Sequence, residues 1–194
     1  MGRAVGSRTR SIICETIIIY GSLYGTAKHY AEALSNRTGV AAVPYDHAHD
    51  VAQYDAIVYI GALYAGGVLG MKKTFRGLSD VRGRTIIIAT VGLADPSDRQ
   101  NIENIRQNMK KQLPEQVCQH AQFFHLRGGI DYSRLSAKHR IMMRLLYEKA
   151  RNLPEEKKTA EVRAMIETYN KRVNFTDDAA LDRMILAMPK GEIS

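Results

Sequence analysis

Cysteine is nearly absent. The chain has 2 in 194 residues, Cys14 and Cys118, far apart, in no CxxC and without a histidine at ligand spacing, so neither a metal cluster nor a disulfide framework is expected. Long apolar runs are absent too. None approaches the roughly 18–20 residues that span a bilayer, and the block behind Arg3, Arg8 and Arg10 is short and broken by Cys14 and Glu15. It reads as a strand with a polar leader and not as a signal peptide, in a protein of the reducing cytoplasm. Aromatics are scarce at 7%, no RNA- or DNA-binding motif occurs, and the basic residues are dispersed, which places nucleic acid last among partners. There are no internal repeats and no low-complexity runs. Acidic residues are the minority charge: 20 Asp and Glu against 28 Lys and Arg, a formal net charge of +8. That excess biases partners toward anions such as phosphates, acidic lipids or carboxylated substrates.

What is present is the composition of an ordinary folded protein, with 45% hydrophobic and 25% charged residues. The length suits one domain, 1–194, with a full core. Strand-like blocks recur at 16–20, 40–43, 56–60, 85–90 and 121–126, with helix candidates at 26–36, about 70–78 and 99–113 between them. The first, third and fourth blocks are almost continuous β-branched runs, as in strands buried on both faces of a parallel sheet. Alternation of this kind predicts an α/β doubly wound, five-stranded parallel sheet with helices on both faces. After Gly128 the rhythm breaks. A helix at 136–151, a charged stretch at 152–174 and a last helix opening at "FTDDAALDRMILAM" follow, with Thr176 as its expected cap. Residues 129–174 read as a basic helical insertion before that last helix. Within it Ile141, Met142, Leu145 and Leu146 are expected to form one apolar stripe, with Arg140, Arg144 and Arg151 on another face.

The stretch "IIIYGSLYGTAKHYAEAL" at 17–34 runs from the first strand into the first helix through Gly-Ser and Gly-Thr. Ser22 and Thr26 offer hydroxyls, Gly25 permits close approach of the backbone, and amides at the helix start favour an anion. An ordinary βα turn has the same composition. GxGxxG and GxxxxGK[ST] are both missing, which argues against a dinucleotide or a nucleoside triphosphate. In a doubly wound sheet the loops after the third and fourth strands, "GALYAGGVLG" and "VGLADPSDRQ", should lie beside this turn. His29 and His125 are expected to be structural. No catalytic base and no metal ligand set stands out.

Tyr20, Ser22, Gly25, Ala31 and Leu34 stand where the phosphate signature of flavodoxins places such residues, so the chain resembles that flavodoxin-like family. The resemblance implies FMN, its phosphate held by Ser22, Leu23, Tyr24, Gly25, Thr26 and Ala27. Ala27 departs from the usual Thr, a loss of roughly 0.5–1.5 kcal/mol of hydrogen bonding, with Thr26 next door placed to compensate. It further implies that Ala62, Leu63, Tyr64, Ala65 and Gly66 cover one face of the flavin, with Tyr64 stacking, while Gly92, Leu93, Ala94 and Asp95 meet its other edge. No aromatic occupies that last loop, leaving the second face open to another planar molecule.

Together with "YIGALYAG", "FFHLRGGIDYSRLSAKHRIMMRLLYEK" and "NFTDDAALDRM", these features are similar to the flavodoxin-domain family of the bacterial menaquinone-dependent protoporphyrinogen oxidase. The likeness implies an FMN oxidoreductase that takes hydrogen from an anionic porphyrinogen and reduces a quinone. Read from its residues, the basic amphipathic helix 136–151 of a cytoplasmic protein either lies on the anionic inner face of the membrane, near a quinone pool, or packs on the domain with its arginines in water. The alternatives are an electron carrier that docks to a redox partner protein, and a module that has lost FMN. Basic surroundings favour two-electron chemistry over the carrier.

Overall fold

The computed structural model describes residues 15–64 and 66–189. Five strands run parallel: β1 (Thr16–Gly21), β2 (Ala42–Pro44), β3 (Ala56–Tyr64), β5 (Thr85–Gly92) and β6 (Gln122–Arg127). Their order is β2-β1-β3-β5-β6, and the short β4 (Gly67–Val68) folds back antiparallel on the end of β3. The β-branched runs make this sheet because each buries both faces. Ile17, Ile19, Ile57, Tyr59, Ile86 and Ile88 point into one cluster, while Ile18, Val58, Ile60, Ile87 and Ala89 point into the other. This is the period-2 alternation of a strand.

Two helical layers close the clusters. On one face lie α1 (Thr26–Thr38), through Ala27, Tyr30, Ala31 and Leu34, and α7 (Asp182–Ala187), through Met184. The other face is covered by α2 (Met71–Phe75), α3 (Arg99–Lys110) and α4 (Glu115–His120), which bring Met71, Phe75, Ile105, Met109 and Val117. The doubly wound sheet and its helices are as expected. The second strand lies two residues later than its apolar block, because Gly39 ends α1 in the left-handed region and Ala42–Pro44 are the residues that reach β1.

Residues 129–174 contain more than helix. β7 (Gly129–Asp131) pairs antiparallel with β8 (Arg172–Asn174), Ile130 opposite Val173, and between them lie α5 (Ala137–Arg151) and α6 (Ala160–Thr168). The stretch expected to be mere charged surface therefore holds α6 and β8. Ile130, Tyr132, Leu135 and Met143 form a small third cluster with Tyr24, Leu93, Met165, Tyr169 and Val173 packed on it. The expected stripe on α5 is corrected: Met143 and Ala150 are the buried positions, and Ile141 and Leu145 face solvent. Thr176 is not a helix cap either. Its hydroxyl donates to Asn174 Oδ1 at 2.9 Å, and Asp177 opens the turn before α7 by accepting from the Ala179 amide at 3.0 Å.

Candidate functional site

β1 has β2 on one side and β3 on the other, so the order reverses there, and ligands of open α/β sheets bind beyond the strand ends at that point. In the turn after β1, Gly25 is left-handed at φ 93° and its amide donates to Ser22 Oγ at 3.2 Å. The first amides of α1, from Thr26 to Lys28, have no acceptor within the helix, and its first turn carries no acidic side chain. Together they form a concentrated positive end. Leu23 is partly buried in the turn and Ala27 wholly buried beneath it. Thr26 does not stand in for the missing threonine. Its hydroxyl donates to the Gly129 carbonyl at 3.0 Å and accepts from the Gly129 amide at 3.4 Å, tying the turn to β7.

The loop after β3 begins inside the strand. Ala62 accepts from the Leu69 amide at 3.0 Å, and Leu63 and Tyr64 pair with Val68 and Gly67 of β4. Gly66 is left-handed at φ 79°, while Ala65 lies outside the described residues. The Tyr64 hydroxyl donates to Met142 Sδ of α5 at 3.0 Å.

After β5 the decisive partner is one that sequence reasoning missed. The Leu93 and Ala94 amides donate to the Glu161 carboxylate of α6 at 3.0 and 3.2 Å, and Asn101 Nδ2 lies 3.4 Å from it. The carboxylate sits so close to Gly92 that a Cβ there would fall 2.3 Å from Glu161 Oε1. Burial pushes the Glu161 carboxyl above the usual range, against the amides of Leu93 and Ala94, Asn101 and the charge of Arg127. Asp95 is exposed and accepts from the Ser97 amide at 2.8 Å, which with the Ser97 side chain holds its carboxyl low.

Residues 129–174 thus touch all three loops: His139 meets the Tyr24 ring edge-on at 5.8 Å, Met142 meets Tyr64, and Glu161 meets Leu93 and Ala94. Between them lies a cavity of about 580 Å³. Tyr24, Leu63, Tyr64, Gly66 and Leu93 line it from the core side, and Met143, Leu146, Leu153 and Met165 from the other. Asn101, Asn104, Asn108, Lys149 and Glu161 add polar groups. The Tyr24 and Tyr132 hydroxyls are buried without a partner, and burial, more than neighbouring tyrosines, pushes both to about 12. In sequence, Glu161 is one more charge in a charged run and carries no signal that separates it from its neighbours.

The histidines lie elsewhere. His29 pairs with Asp178 at 2.9 Å, and His125 Nδ1 lies 2.7 Å from Thr90 Oγ1. Among the described residues, no three His, Cys, Asp or Glu are grouped so as to hold a metal ion, and no helix is long and apolar enough to cross a membrane. Cys14 lies outside the described residues.

The sequence profile of the flavodoxin domain matches residues 17–157. The chain belongs to the flavodoxin domain family. That match spans all five parallel strands, the three loops and α5, and stops short of α6 and Glu161. No curated protein matches the chain. Among solved structures, a Bacteroides uniformis protein provisionally called a flavoprotein is similar at 13% identity and a TM-score of 0.42, over 61% of this chain and 93% of that one. Flavodoxin 1 from Bacillus cereus is similar at 12% identity and 0.39, over 58% and 83%. A cysteine-substituted flavodoxin from Pseudomonas aeruginosa is similar at 15% and 0.38, over 69% and 95%. The assignment to the family rests on the profile match.

Proposed function

We propose that this flavodoxin-domain protein binds FMN and acts as an oxidoreductase between a reduced donor of the porphyrinogen class and a quinone. The phosphate end of the site fits the cofactor. Gly25 has an open, left-handed backbone, Ser22 stands within the turn, and the start of α1 presents amides with no acid to compensate them. The ring end fits in shape, since Tyr64 and Leu93 wall a cavity of about 580 Å³, within the usual range of small-molecule sites. It does not fit in hydrogen bonding while Glu161 holds the amides of Leu93 and Ala94.

One observation favours an enzyme over an electron carrier: residues 129–174 cover part of the mouth of the loops and leave a mainly apolar, half-open cavity beside them. A carrier needs its ring edge open to a partner protein, whereas an enzyme gains from a dry pocket in which side reactions are excluded. When bound, the flavin would supply the redox chemistry two electrons and two protons at a time, so that three rounds and three quinones would take a porphyrinogen to its porphyrin. The chain's own residues position the reactants: Tyr64 and Tyr24 provide flat walls, Met143 and Met165 adaptable ones, and Lys149 a cation for an acidic substituent. The exposed Ile141 and Leu145 of α5, beside Arg140 and Arg144, give the molecule a face suited to an anionic membrane that carries quinone.

The test is anaerobic. Protein loaded with FMN is mixed with a porphyrinogen and a quinone, and porphyrin fluorescence is followed. Quinone-dependent porphyrin formation above the rate given by free FMN is the expected result. Fluorescence growing no faster than with free FMN, in a protein that does hold the cofactor, would remove the donor class.

A further inference from the structure

We propose that Glu161 is a latch that competes with the cofactor for the loop after β5. Its carboxylate lies against Gly92 and takes two amides of that loop, those of Leu93, which lines the cavity, and of its neighbour Ala94. Any planar ligand whose edge carries carbonyl oxygens needs donors of this kind, and an isoalloxazine ring has such an edge. A carboxylate with two oxygens on two amides is a stand-in for that edge, supplied by the chain itself. Ring and carboxylate cannot use the same two N–H groups, so one must leave when the other arrives.

The architecture allows the carboxylate to leave. Residues 132–171 depart from the core and return to it through adjacent strands, because β7 and β8 pair at their base. That two-stranded stem stays formed if α6 lifts. The docked arrangement also carries a local penalty: the hydroxyl of Tyr24, beneath α5, is buried and unpaired. A group that pairs that hydroxyl, or a small opening that wets it, favours release. Burial also keeps the Glu161 carboxyl above its ordinary range, so the docked charge is poorly solvated.

The inference rests on the FMN reading, and the experiment separates the two. FMN affinity is measured by quenching of flavin fluorescence for the native protein, Glu161→Ala and Glu161→Gln, each checked for native circular dichroism. The glutamine variant keeps one carbonyl acceptor and serves if the alanine variant folds poorly. The latch predicts that removing the carboxylate tightens FMN at least tenfold in Glu161→Ala and less in Glu161→Gln. Unchanged or weaker binding in both variants overturns it, since Glu161 would then be a support for the loop. No binding by any of the three proteins overturns the FMN reading and the latch with it. Amide hydrogen exchange gives a second readout. FMN added to the native protein should speed exchange in residues 159–168 while slowing it at Thr26 to Lys28. Slowing in both segments contradicts the latch even if FMN binds.

Discussion

At the scale of single residues, two half-buried titratable groups stand out that the alternation of strands and helices does not reveal, one at the candidate site and one away from it on the sheet. Glu161 holds a loop, as described above. His125 sits on β6 next to Thr90, and burial, with Arg106 nearby, lowers it to about 4. An unfolded chain protonates histidine near 6.5. Between about pH 4 and 6.5 the unfolded chain therefore binds more protons than the folded one, so stability rises with pH across that window and is lost as pH falls through it. One proton sets a ceiling of ~1.4 kcal/mol per pH unit on that slope, and the ring Nε2, buried without a partner, has no acceptor to steady a second ring proton. Urea unfolding at pH 5 and pH 7 should show a smaller difference in His125→Asn than in the native protein. An equal difference in both would assign the acid sensitivity to other groups. Residue type was legible in the turn after β1, where Gly25 takes the left-handed backbone and its amide donates to Ser22. It failed at Thr26, whose hydroxyl is claimed by Gly129, 103 residues away in the chain.

At the scale of elements, strands were legible where burial is two-sided. The runs Ile17–Ile19 and Ile86–Ile88 have no other stable use than the centre of a parallel sheet. α6 and β8 were not legible, for physical reasons. β8 pairs over only three residues with a strand some 40 positions earlier, and α6 is a short helix that adds the Glu161 carboxylate to a half-buried contact through Met165. On α5 the apolar residues fall on two faces. Met143 and Ala150 serve the core, while Ile141 is 64% and Leu145 66% exposed. That outer pair, flanked by Arg140 and Arg144, belongs to the proposed membrane contact. Cosedimentation with vesicles rich in anionic lipid should retain the native protein at moderate salt. Ile141→Ser combined with Leu145→Ser should weaken retention by about a hundredfold or more, since each fully buried side chain of this size contributes roughly 1.5–3 kcal/mol. Equal retention would mean that charge alone acts, or that the contact lies elsewhere.

At the scale of the whole molecule, a flavodoxin sheet carries a second layer across the mouth of its site. The sheet order brings the loops after β1, β3 and β5 to one end, and β7 and β8 return the chain to that same end, so α5 and α6 close over the loops. The net charge of +8 keeps this assembly attractive to a phosphate, an acidic donor and an anionic surface alike. The central claim is that the turn from Ser22 to Ala27 holds the phosphate of FMN, and binding tests it most directly. Titration of FMN with the native protein, followed by fluorescence, should show saturable one-to-one binding. Riboflavin, which lacks the phosphate, should bind at least tenfold more weakly. FMN and riboflavin binding equally, or neither binding at all, would contradict the account.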